Sequence, residues 1–433
     1  PLAVRGDGIY LIDSSGNSYI DASGGAAVSC LGHSNHEVMR AIQDQAKTLT
    51  FAHTGFFTSA PAEELAQKLI EDAPVGLDWI YFLSGGSEAI ETALKIARQY
   101  FTLTGQHQRR HFIGRRQSYH GNTLGALAVS GHMRRRQPYT PILLDTHHIS
   151  PCYSYRAKLE GENDRDYGLR VANELEDKIK ELGEDTVIAF IAETVVGATL
   201  GAVPAVSGYF SRIREICDKY GVLLILDEVM SGMGRTGTMH ACEQEDISPD
   251  LLCLAKGLGA GYQPIGATMI SEQLFRVFSD GPGAFEHGHT YIGHATACAA
   301  ALAVQHEIKS RDLLSSVKTQ GEYLQRALRE RFNDHQHVGD IRGRGLFWGI
   351  ELVKNRMTKE PFASSLKLSV RIRAHALANG LICYPDTGTA DGINGDHILL
   401  APPYIVSKAE IMKIVDKLNI AINLAIEEVK SCI

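Results

Sequence analysis

The sequence lacks the marks of several large classes of protein. No uninterrupted apolar stretch approaches the length of a membrane span. No long block of one charge sign occurs, and the formal charge of -7 is spread along the chain, so neither a nucleic acid nor a membrane surface is indicated as a partner. The densest basic run, "HMRRRQ" at 132–137, reads as a solvated loop. The eight cysteines (Cys30, Cys152, Cys217, Cys242, Cys253, Cys298, Cys383 and Cys432) include no C-x-x-C and no metal-type Cys/His cluster. They read as reduced thiols, which favours a cytoplasmic protein without a bound metal. The chain opens at Pro1 rather than at a methionine, which leaves room for a leader upstream. What is present is an ordinary globular composition: 433 residues at 44% apolar content can bury a large core.

One glycine pattern invites a specific function. In "LLILDEVMSGMGRTG", residues 223–237, Gly232-x-Gly234-x-x-Gly237 matches the spacing of a dinucleotide fingerprint. Such glycines belong in the tight turn between a strand and a helix, where a pyrophosphate sits on the helix N-terminus. Here Asp227-Glu228 occupies the strand end, and "TMHACEQEDISPD" after Gly237 has no clear helical apolar stripe. The context therefore argues against NAD or FAD, and the question becomes what an acid at that strand end is for.

Short apolar strands alternate with helical patterns, which predicts a parallel sheet wrapped by helices. Each strand ends in polar residues: "WIYFL" in Ser84-Gly85-Gly86-Ser87, "HFIG" ahead of Tyr119-His120-Gly121, "VIAFIA" in Glu193, "VLLIL" in Asp227 and "LLCLA" in Lys256. Ligands of open α/β sheets bind at the carboxyl ends of the strands, so these endings describe one site. After Ser87 the apolar residues Ile90, Ala93, Leu94, Ala97 and Phe101 share one helical face, which makes Ser87 the expected cap. The glycines before it also free backbone N–H groups to hold a phosphate on the helix dipole, and the other endings tip the reading that way. Lys256 is either an ion-pair partner of Asp227 or Glu193, or a Schiff-base lysine, a role that would use its charge. A phosphate at one end, an aldehyde joined to lysine and a ring nitrogen paired with Asp227 together describe pyridoxal 5'-phosphate.

The chain resembles the class III aminotransferases, of the aspartate aminotransferase fold type I, over nearly its whole length. The likeness is carried by "GIYLIDSSGNSYIDASGGAAVSCLGH", "SGGSEAIETALKIAR", "SYHGNTLGALAVSG", "DEVMSGMGRTG", "LAKGLGAGYQPIGATM", "HGHTYIGHATACAAALAV" and "RGRGLFWGIEL", in the family's order. By matched position, the resemblance implies that Lys256 is the Schiff-base lysine and Asp227 the partner of the pyridine nitrogen. It likewise implies that Gly86 and Ser87 form the phosphate cup, that Tyr119 stacks on one ring face and that Val229 packs the other. Thr290 matches a threonine that reaches the phosphate from the neighbouring subunit, which implies a homodimer with shared active sites. Glu193 matches a strand-end glutamate near the ring, with Thr194 where the family has proline. The implied architecture is an N-terminal segment over 1–40 packing with the small domain, a large cofactor domain over 41–310 with a mostly parallel sheet, and a smaller α+β domain over 311–433. The last helix should open on a Ser407/Glu410 capping box and bury Ile411, Ile414, Val415, Leu418 and Ile422.

The implied reaction is ping-pong transfer of an amino group from an amine or ω-amino donor to a small 2-oxo acid. Lyases, decarboxylases and aminomutases share the fold and form the alternative. Departures from the family bear on substrate. Ala198 stands where ornithine and 4-aminobutyrate enzymes carry a second glutamate, and Tyr384 where a carboxylate-binding arginine is common. No arginine follows Arg373, and Met230 replaces a frequent glutamine. Ala26 lies near a pocket position often filled by an aromatic. These departures favour pyruvate as acceptor, with Arg5 or one of Arg134 to Arg136 as the remaining sources of a carboxylate-binding charge.

Overall fold

The computed structural model of the protein describes residues 1–430. Three segments, Val187–Glu193, Leu223–Asp227 and Leu251–Leu254, are buried at every position. A strand with no exposed face must be covered on both sides, which is the condition of a parallel sheet between helices. The central sheet has seven strands: β1 (Leu77–Leu83), β2 (His111–Arg115), β3 (His147–Ile149), β4 (Val187–Glu193), β5 (Leu223–Asp227), β6 (Leu251–Leu254) and β7 (Gly266–Ser271), in the order β1-β7-β6-β5-β4-β2-β3. All run parallel except β7, which is antiparallel to both its neighbours. The reversal has a local cause. Between β6 and β7 the chain forms only a single 3-10 turn, Lys256–Leu258, and a parallel return needs a longer crossover, usually a helix. One edge of the sheet therefore collects the carboxyl ends of the parallel strands and the amino end of β7.

Helix α1 (Gly86–Leu103) lays Ile90, Ala93, Leu94, Ala97 and Phe101 on one face of the sheet against Ile188, Ile191 and Ile225, as its apolar spacing predicts. Helices α2 (Asp164–Leu182) and α3 (Tyr209–Tyr220) cover the other face, over Phe190, Leu224 and Leu226. Each of the larger side chains among these contributes roughly 2 kcal/mol on burial, so the strand interiors are committed to packing and only their ends are free for chemistry.

A second sheet lies in the C-terminal part. Its strands are β8 (Val338–Arg344), β9 (Phe347–Leu352), β10 (Tyr384–Thr387) and β11 (Asp396–Leu400), in the antiparallel order β8-β9-β11-β10. Helices α4 (Leu313–Phe332) and α5 (Lys408–Lys430) share its core. The expected capping box opens α5: Ser407 N–H donates to Glu410 Oε2 at 2.8 Å and Glu410 N–H to Ser407 Oγ at 3.3 Å. Ile411, Ile414, Val415, Leu418 and Ile422 are all buried. The N-terminal strand Ser18–Asp21 pairs in parallel with Leu381–Ile382, which ties the first residues of the chain to this part. Among the described residues no helix is long and apolar enough to cross a membrane. The seven described cysteines are buried free thiols, and Cys432 lies outside the described residues.

Candidate active site

The edge where the parallel strands end opens into a cavity of about 390 Å3. It is walled by Ser84–Ser87 after β1, Tyr119–Gly121 after β2, Glu193 at the end of β4, Asp227, Val229 and Met230 after β5, Ala255 and Lys256 after β6, and Gln263–Ile265 before β7. Every strand ending singled out in the sequence thus reaches one site, although the residues are spread over almost two hundred positions.

Lys256 begins the 3-10 turn after β6 with φ at +46°, a left-handed conformation unusual for lysine. A residue held there costs on the order of 1–3 kcal/mol and persists only where its surroundings fix it. Burial drives its ammonium down to about 8, against the pull of the Asp227 and Glu193 carboxylates, while the positive charge of Arg135 pushes it the same way as burial. The neutral amine that a nucleophile requires is therefore present in about one molecule in ten at pH 7, far more than for an exposed lysine.

In the same cavity, Asp227 is held at both oxygens. Oδ1 accepts the N–H of Val229 at 2.9 Å, and Oδ2 lies 2.8 Å from His120 Nδ1. The contact needs the tautomer with the proton on Nδ1, and it leaves buried His120 Nε2 without a partner. Nothing in the linear sequence assigns His120 a part in the site, and its place directly after Tyr119 is the only signal there.

At the third wall, α1 points its N-terminus at the cavity. Its cap is Gly85, in extended backbone, and not Ser87. Ser87 lies within the first turn, where its Oγ accepts the N–H of Asn122 at 3.0 Å, and Glu88 Oε2 takes the N–H of Ser84 at 2.8 Å. The expected serine cap is corrected because the glycine pair lets the chain enter the helix two residues earlier. Two glycines are needed for the close packing here. A Cβ on Gly86 would meet Val229 Cγ1 at 3.0 Å, and one on Gly121, at φ +139°, would meet Ser87 Oγ at 2.5 Å. The free amides and dipole of such a helix start suit an anion.

Glu193 braces the loops of the cavity. Its Oε1 accepts the N–H of Tyr119 at 3.0 Å and Oε2 that of Gly197 at 2.7 Å, and burial raises its carboxyl. The next residue, Thr194, donates its hydroxyl to Glu228 at 2.9 Å; Glu228 also accepts the N–H groups of Ala241 and Cys242, and burial lifts it to about 7. Met230 lines the cavity, while Val28 stands in its wall where the sequence pointed to Ala26. Thr290 lies outside the cavity, on the exposed segment before Tyr291.

Two sequence expectations change here. The run at 132–137 is not simply a solvated loop: it contains the short helix Met133–Arg136, and Arg135 lays its guanidinium 4.6 Å over the Tyr119 ring. At the opposite edge of the sheet, His111, Asp145 and His147 bring ligand-type atoms within 4.8 Å of one another, a grouping that linear spacing could not reveal. The glycines at 232–237 lie in a loop after β5 rather than at a helix start. That loop wraps buried Arg235, which donates to the carbonyls of Leu346 at 3.1 Å and Pro402 at 2.5 Å.

The donor set fits pyridoxal 5'-phosphate. An amine, a carboxylate and a helix N-terminus lining one cavity can meet an aldehyde, a protonated ring nitrogen and a phosphate, with Tyr119 and Val229 also in its wall. Comparison with known proteins points the same way. The sequence model for class III aminotransferases matches residues 2–422. An uncharacterized aminotransferase of Schizosaccharomyces pombe is 46% identical, over 97% of this chain and 92% of its own length. An aminotransferase of Gibberella zeae is 44% identical, over 96% of this chain and 82% of its own. The crystal structure of an omega transaminase from Pseudomonas jessenii in complex with PMP superposes with a TM-score of 0.93 at 34% identity, over 99% of this chain and 93% of that one. With fold, cavity and kinship in agreement, the chain belongs to the class III aminotransferases, transferases of PLP fold type I that work with pyridoxal 5'-phosphate.

Proposed function

We propose that the enzyme moves an amino group from an amine or ω-amino donor to a small 2-oxo acid, with pyruvate the favoured acceptor. The observation that carries this reading is that Lys256, Asp227 and the N-terminus of α1 line one cavity. When bound, pyridoxal phosphate supplies an aldehyde that takes up the amino group and a ring that accepts the electron pair released at the donor carbon. Lys256 would hold its aldehyde, Asp227 its ring nitrogen, and Gly86 and Ser87 its phosphate, with Tyr119 and Val229 against the two ring faces. His120 orients the Asp227 carboxylate, which keeps a proton at the ring nitrogen. Lys256 Nζ, once free, is the base that moves a proton from the amine-bearing carbon of the donor. Donor and acceptor use the same cavity in turn, so the kinetics should be ping-pong. Glu193 acts through its two N–H contacts, fixing Tyr119 in place.

The pyruvate preference follows from charge. Lys256 is the only cation in the cavity wall among the described residues, and Ala198, Tyr384 and Met230 supply no paired switch for a second carboxylate. A specificity constant for pyruvate at least tenfold above that for 2-oxoglutarate is expected with one good amine donor. The reverse order, measured in the same assay, would sink the preference. Formation of the oxo product of the donor in step with a new amine tests transfer itself against elimination, decarboxylation or amine migration.

We further propose a homodimer in the cytoplasm, with Thr290 reaching the partner's phosphate site. Exposed aromatic surface beside Thr290 supports it: Phe56 and Phe57 are 82% and 68% exposed and Tyr291 61% exposed, with Phe51 and Tyr291 in ring contact at 5.5 Å. Thr290→Ala is expected to weaken cofactor retention by roughly tenfold, the loss of one hydrogen bond to a charged group. Mixing it with Lys256→Ala chains should restore activity above either parent, because one site of each heterodimer keeps both residues. A fully active monomer in sedimentation would overturn the sharing. The proposed units are 1–40, 41–310 and 311–433; the pairing of Ser18–Asp21 with Leu381–Ile382 supports grouping the first with the last.

A further inference from the structure

The cavity contains Asp227 and Glu193, so an acceptor's carboxylate needs a positive partner away from them. Most arginines that could supply it are already engaged, among them buried Arg115, which donates to the carbonyl of Glu193. Arg134 pairs with Asp386 at 3.0 Å. Arg136 is held by the backbone carbonyls of Ser130 at 2.7 Å and of Leu127 at 3.3 Å. Arg373 donates to the carbonyl of Pro385 at 3.2 Å, and Arg5 lies exposed on the strand Ala3–Asp7.

Arg135 differs from all of these. Its guanidinium carbon lies 4.6 Å from the centroid of the Tyr119 ring, and its partner is the Tyr119 side chain, with no carboxylate paired to it among the described residues. It is half-buried, and its charge is felt at Lys256. A guanidinium that lies over a ring and is paired with no carboxylate keeps N–H groups to receive one in a two-point contact. The ring beneath it is that of Tyr119, a wall of the cavity. Positive charge thus comes to the site from the segment after β2, while the C-terminal position of the family's arginine is taken by Tyr384, whose phenol lies within electrostatic reach of Tyr119.

We infer that Arg135 receives the carboxylate of the 2-oxo acid acceptor, stacked on Tyr119 at the rim of the cavity. The inference rests on the transfer reaction proposed above and adds to it the residue that selects the acceptor. A single free guanidinium suits a single carboxylate, in accord with a monocarboxylic acceptor.

The test compares pyruvate with propanal, an aldehyde without a carboxylate, as acceptors for the holoenzyme with one amine donor. The reading is the ratio of the two specificity constants. Arg135→Gln is expected to lower that ratio about 100-fold, Arg135→Lys to lower it less, and Arg134→Gln to leave it at the wild-type value. In parallel, propionate titrated into the holoenzyme and followed by cofactor absorbance should bind about 100-fold more weakly to Arg135→Gln. Equal losses with both acceptors, or an unchanged ratio and unchanged propionate affinity, would remove Arg135 from the role. Should the glutamine variant fail to fold, Arg135→Lys decides: an undiminished ratio there counts against a two-point contact. Wild-type enzyme that aminates neither acceptor would instead overturn the transfer reading, an outcome distinct from any of these.

Discussion

Lys256→Ala is expected to leave a folded enzyme with no visible cofactor band from a lysine linkage and with turnover reduced at least about 10⁴-fold. Among the described residues no other lysine lines the cavity, so no second amine can take over. Retention of a lysine adduct reducible by borohydride in that variant would remove the assignment. The same residue sets a pH dependence. Its folded-state pKa is lowered to about 8, so the neutral amine is half formed at pH 8 and nearly complete about one pH unit above it. Uptake of cofactor by apoenzyme should therefore rise about tenfold per pH unit below 8 and level off above it. A rise that continues to about 10.5 would show an amine that feels no burial.

Asp227→Asn should keep cofactor bound while slowing the proton transfer by about a hundredfold or more, since a neutral amide cannot hold a positive ring nitrogen. The geometry sharpens the expectation. Oδ2 of Asp227 lies 2.8 Å from His120 Nδ1 in a contact that the tautomer must match, and an asparagine whose NH2 faces that nitrogen would force the opposite tautomer. Stopped-flow absorbance of the donor half-reaction isolates the step. Near-normal rates would transfer the role to another acid. Glu193 is the nearest in kind, yet both its oxygens already accept backbone N–H groups.

Much of this site could be read in the linear sequence, and the reason is the sheet. Parallel strands with buried interiors place their ends at one edge, so Gly86, Ser87, Tyr119, Glu193, Asp227 and Lys256 could be gathered from strand endings alone. What escaped depends on direction and on neighbours. The reversal of β7 leaves its apolar pattern unchanged. Ser87 follows two glycines and precedes a helical stripe, yet helical geometry begins at Gly86, which hands the cap to Gly85. His120 acquires its part from Asp227, a residue distant in sequence. The arginine run looked like solvated charge because nothing in its spacing shows that one of its members stacks on Tyr119.

The turn around Arg235 bears on how relatives can be recombined. Its side chain is 1% exposed and lies 4.7 Å over the ring of Tyr404, as well as holding two carbonyls of the C-terminal part. Chimeras that exchange the C-terminal part between family members must therefore carry a matching backbone path at 346 and 402, or leave a buried guanidinium with nothing to donate to. Modularity in this enzyme ends where that arginine reaches across the seam.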